Sequence, residues 1–167
     1  RLPGTDGKAK MSKSLGNCIY LSDEPDVIKS KIMSMYTDPT HIRKEDQGHT
    51  KGNPVFTYLE AFCNPEHFKE FMPDYKNLDE LKAHYERGGL GDVTVKKFLN
   101  NVMQKELEII RERRKMWEQR LPDVYDILYQ GSMKAKTVAA NTLEEVKHSM
   151  KIDYFENKNL LSKENER

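Results

Sequence analysis

Cysteine, tryptophan and long apolar runs are all scarce in this sequence. Only two of its 167 residues are cysteine, Cys18 and Cys63, and they form no CxxC pair. Two cysteines are too few for a disulfide framework, and their spacing gives no zinc motif, which fits a reducing cytoplasm. No apolar run approaches the roughly 20 residues of a membrane-spanning helix, and the N-terminus lacks a signal-peptide core. We therefore expect a cytoplasmic protein with no metal site and no membrane partner.

An excess of charge of one sign is also missing. The chain carries 28 Lys and Arg against 27 Asp and Glu, a net charge of only +1, although charged residues make up 33% of it. Any contact with a nucleic acid must therefore come from local clusters of cations and not from an overall basic field. The length suffices for one domain with a real core and a heavily solvated surface.

A glycine-bracketed loop near the start, residues 4–17, carries the lysines Lys8, Lys10 and Lys13 within six residues. Ammonium groups, serine hydroxyls and exposed backbone N–H groups are donors that suit a phosphate, and glycine lets the backbone approach an oxyanion closely. A solvated basic turn is the alternative interpretation. The sequence offers no acidic pair or Cys/His cluster as a competing centre.

Residues 10–14 read Lys-Met-Ser-Lys-Ser, which resembles, letter for letter, the second ATP-binding motif of class I aminoacyl-tRNA synthetases. Other stretches resemble the bacterial tryptophanyl-tRNA synthetases of that class: residues 2–7, 15–23, 52–56, 88–92, 95–98 and 110–114. The other ATP motif of the family, His-x-Gly-His in a Rossmann domain, has no counterpart here. The resemblance therefore implies the C-terminal part of such an enzyme.

The resemblance implies a two-step reaction in the intact enzyme. The carboxylate of tryptophan attacks the α-phosphate of ATP, accompanied by Mg²⁺, and the aminoacyl group then passes to tRNA(Trp). Lys10 and Lys13 are the implied catalytic residues, because their charge would neutralise the leaving pyrophosphate. The implied ATP-binding set is Lys10, Met11, Ser12, Lys13 and Ser14, with Met11 packing the loop against the domain. We expect a homodimeric intact enzyme, an inactive 167-residue fragment, and a loop that is poorly ordered without its phosphate.

Helical periodicity dominates the rest of the chain and predicts an all-α bundle of five or six helices. Capping residues followed by apolar stripes predict helices from Pro25 to about Tyr36, from Pro54, and from Leu78 to Gly88. Phe68 and Phe71 are predicted to lie in the core, and the loop histidines His41 and His49 to be solvated. The predicted division is a loop and domain edge at 1–24, a helical anticodon-binding domain at 25–155 and a frayed tail at 156–167.

The longest predicted helix starts at Asp92 as N-cap and ends before Pro122. We expect its apolar stripe to continue inward through four residues near its end, Ile109, Ile110, Met116 and Trp117. A short helix at 123–130, stopped by Gly131, and a last amphipathic helix from Ser132 are predicted to follow.

The outer face of the long helix carries the candidate tRNA-binding residues Lys96, Lys97, Arg111, Arg113 and Arg114. Residues 111–120 contain five cations and two carboxylates, which composition alone explains as a salt-bridged solvated face. The resemblance to a tRNA synthetase favours RNA instead. Among the five residues we favour Lys96 and Lys97, since both lie in the first turn of the helix.

Three other interpretations stay open. The parent enzyme could be a tyrosyl-tRNA synthetase, because the side-chain pocket that separates the two amino acids lies outside the resembling residues. The chain could be a stand-alone RNA-binding helical module without any chemistry. A helical scaffold that binds no RNA is the third.

Overall fold

The computed structural model describes residues 2–154. Among these residues there are six α-helices and no β-strand, only an isolated antiparallel bridge between Pro3 and Lys10. The predicted all-α class is therefore confirmed. The helices are α1 (Pro25–Met33), α2 (Pro54–Phe62), α3 (Pro65–Phe71), α4 (Leu78–Arg87), α5 (Asp92–Glu118) and α6 (Leu121–Ser149). No helix in this range is long and apolar enough to cross a bilayer, and the predicted tail at 156–167 lies outside it.

Asparagine caps fix three of the helix starts. The side chain of Asn53 accepts a hydrogen bond from the backbone of Val55, and that of Asn77 from the backbone of Glu80. Asn64 forms a capping box with His67, whose ring nitrogen accepts from the Asn64 backbone N–H. These caps satisfy N–H groups that a helix leaves free at its first turn, which is why the sequence predicts the starts of α2 and α4.

The described residues divide into two compact units, with the boundary between Lys115 and Met116. The first unit contains a continuous apolar core, centred on Ile28 and Ile32 of α1, Leu59 of α2 and Leu99 of α5. Phe68 is buried and Phe71 packs half-buried against the same core, as the sequence predicts. The remaining buried members of the core are Met35, Val55, Phe56, Tyr58, Met72, Leu81, Tyr85, Leu90, Val95, Phe98, Val102, Met103 and Leu107.

Gly88 ends α4 with a backbone that only glycine adopts easily. Its φ is 87°, and a Cβ added there would lie 2.4 Å from the carbonyl oxygen of Glu45. The chain can therefore turn tightly against the preceding loop before α5 begins. This turn sets where α5 starts.

Both predictions about the C-terminal helices are wrong. Beyond Leu107 the stripe of α5 is not buried, since the side chains of Ile109 and Trp117 are 57% and 37% exposed. Gly131 does not end a helix either, because α6 runs through it without a break and buries none of its residues. The stripe of α5 was misjudged because periodicity marks an apolar face without showing what packs against it. Gly131 was misjudged because one glycine inside a helix costs only about 1 kcal/mol relative to alanine.

One of the two loop histidines also differs from its prediction. His41 is buried, and its ring stacks on that of Tyr85 with centroids 4.6 Å apart. His49 is exposed as predicted, and its Nδ1 lies 2.6 Å from the carboxylate of Asp38. Burial acts to raise the pKa of Asp38, but hydrogen bonds from Thr40 and His49 outweigh it and hold that pKa well below its usual range.

Candidate functional site

Residues 3–10 of the lysine-rich loop form a hairpin, and a short 3₁₀ helix at Lys13–Leu15 follows it. The poor order expected without a phosphate stays a prediction. The arms of the hairpin meet at the Pro3–Lys10 bridge, and the Gly4 N–H donates to the carbonyl of Ala9 at 2.6 Å. The Gly7 N–H donates to the carbonyl of Gly4 at 3.0 Å and closes the tip. The backbone of the loop therefore has a defined frame.

Asn17 joins the two halves of this frame. It is only 4% exposed, its Oδ1 accepts from the Ser12 N–H at 2.8 Å, and its carbonyl accepts from the Thr5 N–H at 3.0 Å. Its Nδ2 donates to Oδ1 of Asp6 at 3.2 Å. A Cβ on Gly4 would lie 2.1 Å from that Nδ2, so glycine is needed there for close approach. Sequence reasoning missed Asn17, because a single buried amide in a polar loop leaves no periodic signal.

The carboxylate of Asp6 is stabilised by the same frame. Desolvation acts to raise its pKa, but hydrogen bonds from the Asn17 side chain and the Lys8 backbone prevail and lower it. A lowered pKa favours the ionised acceptor, which the donated hydrogen bonds require. Asp6 therefore supports the loop as a carboxylate at neutral pH.

Cations and hydroxyls of the motif face the solvent on this frame. Lys10, Lys13 and Ser14 are exposed, and Ser12 Oγ lies 2.9 Å from Ser14 Oγ. Within residues 2–154 neither Lys10 nor Lys13 has an ion-pair partner. Met11 packs half-buried against the hydrophobic core, as predicted. A recess of about 240 Å³ beside them is lined by Leu2, Pro3, Lys8, Ala9 and Lys10.

Two tyrosines attach the hairpin to the helical unit. The hydroxyl of Tyr58 on α2 donates to the carbonyl of Pro3 at 2.8 Å. The backbone N–H of Tyr36 donates to the carbonyl of Thr5 at 2.9 Å, and its ring packs against Gly7. The unpaired ammonium groups are thus carried by a frame that is attached to the helical unit through its first arm and its tip. Such an arrangement suits an anion with several oxygens, such as a polyphosphate.

Lys96 does not lie on the outer face of α5, so that expectation is wrong. Its side chain is 8% exposed, and its Nζ donates to the carbonyls of Met33 at 2.9 Å and Met35 at 2.7 Å. Burial lowers the pKa of Lys96, while the charge of Asp92 opposes that shift. The last carbonyls of a helix have no partner within it, and Lys96 supplies donors for this end of α1.

The remaining RNA candidates are separated along α5. Lys97 is exposed and has no ion-pair partner among the residues described. Arg111 is half-buried and its Nη2 donates to the carbonyl of Gln104 at 3.2 Å, whereas Arg113 and Arg114 are exposed. Fourteen residues of helix separate Lys97 from Arg111, a rise of about 21 Å. The structure therefore does not bring these cations to one point.

The described residues thus place a lysine- and serine-rich loop on an all-α unit. Residues 1–108 match the family described as tRNA synthetases class I (W and Y). The chain belongs to that family.

Known relatives agree with this assignment. The tryptophan–tRNA ligase of Clostridium longisporum is 60% identical over 94% of this chain and 43% of its own length. A crystal structure of the Campylobacter jejuni tryptophanyl-tRNA synthetase, complexed with ADP and tryptophan, is 27% identical with a TM-score of 0.69, over 88% of this chain and 42% of that one. A crystal structure of a tyrosyl-tRNA synthetase from Archaeoglobus fulgidus is 25% identical with a TM-score of 0.51, over 66% of this chain and 34% of that one. The chain spans less than half the length of the curated relative it matches.

Proposed function

We propose that this chain is the C-terminal part of a tryptophan–tRNA ligase. The observation that carries the proposal is the exposed Lys-Met-Ser-Lys-Ser segment, held by the hairpin with its lysines unpaired. The 60% identity to a tryptophan–tRNA ligase favours tryptophan as the amino acid. A tyrosyl parent is less well supported, because the tyrosyl neighbour covers less of the chain at a lower TM-score.

In the proposed reaction this segment acts on the triphosphate of ATP. Lys10 and Lys13 neutralise the charge that develops on the leaving pyrophosphate, while the hydroxyls of Ser12 and Ser14 donate to phosphate oxygens. These contacts accelerate adenylate formation only if they strengthen in the transition state, which requires the hairpin to move toward the phosphates.

Mg²⁺ would reach this site with the nucleotide. The chain has no group of three His, Cys, Asp or Glu side chains suited to a metal, so far as residues 2–154 are concerned. The exposed ammonium groups and hydroxyls fit phosphate oxygens and not a cation. We therefore assign this chain the phosphate contacts alone and leave the coordination of Mg²⁺ to ATP and the rest of the enzyme.

The helical domain is proposed to bind tRNA(Trp) through its anticodon. An anticodon is single-stranded, so its recognition combines phosphate neutralisation with contacts to unstacked bases. Lys97 takes the place of the Lys96–Lys97 pair in this proposal, because the ammonium group of Lys96 is engaged within the fold. A homodimeric, cytoplasmic parent enzyme completes the proposal.

Replacement of Lys13 tests the role of the hairpin. The Clostridium longisporum relative can supply the missing half, joined to this chain where the matched region begins. In that chimera Lys13→Ala should slow tryptophan-dependent pyrophosphate exchange at least about 100-fold, because it removes charge stabilisation of the transition state. The dissociation constant of tryptophan should change less than about twofold, since the lysine meets phosphate and not the amino acid.

Lys8→Ala is the matched control, because Lys8 is an exposed lysine of the same hairpin outside the motif. It should slow the exchange far less than Lys13→Ala does. Equal rates for wild type and Lys13→Ala would remove Lys13 from the mechanism. The 167-residue chain alone should show no exchange and still bind tRNA(Trp), whereas a helical scaffold would bind none.

A further inference from the structure

A cleft lined by two lysines, two asparagines and a methionine lies between α1 and α5. It encloses about 260 Å³ and is lined by Lys29, Met33, Lys97, Asn100 and Asn101. Lys29 and Met33 are one turn apart on α1, and on α5 Asn100 and Asn101 lie one turn after Lys97. Each helix therefore presents one face to the cleft.

Two hydrogen bonds between the helices fix the walls of this cleft. At one end Nε2 of Gln104 donates to the carbonyl of Pro25, at 2.8 Å. At the other end Lys96 donates to the carbonyl of Met33, at 2.9 Å. The helices therefore run antiparallel here, and the cleft exists before any ligand arrives. A preformed cleft spares a ligand the entropic cost of ordering its site.

The polar groups of the cleft are free for a ligand. Lys29 and Lys97 are exposed without an ion-pair partner in residues 2–154, whereas the exposed Lys69 is paired with Glu66 at 2.6 Å. The amide of Asn101 is exposed and has no hydrogen bond to the described protein. Oδ1 of Asn100 accepts from Gln104 at 3.2 Å, which leaves its Nδ2 available.

We infer that this cleft binds one unpaired nucleotide of RNA, with its base beside Met33 and its flanking phosphates at Lys29 and Lys97. This inference rests on the proposed function, because it assigns a place on the helical domain to a nucleotide of the anticodon loop. An amide carries both a donor and an acceptor, so Asn101 can pair with a base edge, and Asn100 can donate a second hydrogen bond. An acidic peptide would use the lysines and leave these amides without a role.

Binding of a fluorescent anticodon stem-loop of tRNA(Trp) to the 167-residue chain tests the inference. The double variant Lys29→Gln, Lys97→Gln should weaken the dependence of affinity on salt. The slope of log K against log[salt] should become less negative by up to about 1.4, because each lost single-strand phosphate contact removes about 0.7. Asn101→Ala should reduce the preference for the native loop over a loop with one changed base, by about tenfold. The side chains of Lys29, Lys97 and Asn101 are exposed, so their replacement should not disturb the core. Circular dichroism checks that each variant is folded.

Lys69→Gln and Asn141→Ala are the matched controls, since both residues are exposed and lie outside the cleft. They should leave both measurements unchanged. If the wild type binds no stem-loop, the proposed RNA-binding function fails and the inference with it. If the wild type binds and only Arg111→Gln or Arg113→Gln weakens binding, the function stands and the cleft is the wrong site. A free mononucleotide that competes as well as the stem-loop would also overturn the assignment to RNA.

Discussion

At the scale of single residues, Asn17 organises the lysine-rich loop through one amide that acts as acceptor and donor at once. Its Oδ1 accepts a hydrogen bond from the Ser12 N–H, and its Nδ2 donates one to the carboxylate of Asp6. Only an amide of this length offers both functions at the same place. Asn17 thus positions the segment that carries Lys13 without being exposed to a ligand itself.

Asn17→Asp should disrupt the loop in a way that acid reverses. The change keeps Oδ1 but replaces the donor to Asp6 by a second carboxylate oxygen, about as close as the present 3.2 Å. Two carboxylates at that distance raise one pKa strongly, so the repulsion is present at pH 7 and is lost as pH falls and one group takes up a proton. The amide NMR signals of Gly4 and Ser12 should shift at pH 7 and return toward wild-type positions near pH 4.

Asn141→Asp on the exposed face of α6 controls for added charge and should leave those signals in place. A variant loop that stays displaced at both pH values would show that the amide, and not the repulsion, decides the fold. The motif itself could be predicted from sequence because its letters are local. Asn17 and the burial of Lys96 could not, since Asn17 bonds to Asp6, 11 residues away, and Lys96 to Met33, 63 residues away.

At the scale of elements, α6 is the clearest departure from the sequence-based prediction. Gly131 is followed by residues with good helix propensity, and the helix continues through it to Ser149. A Cβ at Gly131 would meet nothing within 4 Å. Capping residues predicted the starts of α2 and α4 because they act within one turn, whereas a glycine is compatible with a helix end or a helix interior.

Gly131→Ala should therefore stabilise α6 by about 0.5–1 kcal/mol, because alanine loses less backbone entropy in a helix. The helical signal in circular dichroism should rise and its thermal midpoint increase. Gly48→Ala is the contrasting variant, since a Cβ there would lie 2.2 Å from the ring of Tyr85, and it should destabilise the chain. A lower midpoint for Gly131→Ala would mean that Gly131 ends a helix after all.

At the scale of the whole molecule, the buried ammonium of Lys96 connects parts of the first unit that are distant in sequence. Lys96→Met should cost about 1–3 kcal/mol of unfolding free energy, because it leaves the carbonyls of Met33 and Met35 without donors. Urea unfolding measures this loss. Lys97→Met, at the exposed neighbouring position, should stay within about 0.5 kcal/mol of wild type. Equal losses in both variants would show that Lys96 has no special role.

The fold class was predictable from the sequence, but which apolar helix faces are buried was not. Apolar residues at helical spacing mark Ile28 and Ile32, which are buried, in the same way as Ile109 and Trp117, which are exposed. Burial is decided by what packs against a face, and that information is spread over the chain. The cleft between α1 and α5 likewise joins residues of two segments, so neither segment predicts it alone.

The hydrogen bonds that attach the hairpin and those that Lys96 donates to the end of α1 can form only in a certain order during synthesis. The backbone of Tyr36 can bond to Thr5 once the chain as far as Tyr36 is free of the ribosome, and Tyr58 can add its bond to Pro3 soon afterwards. Lys96 emerges sixty residues after Tyr36, which takes about 3–12 s at ~5–20 residues per second. For that interval the carbonyls of Met33 and Met35 lack the donors that Lys96 supplies. On the ribosome, the segment proposed to meet ATP is therefore anchored seconds before the helix proposed to meet RNA exists.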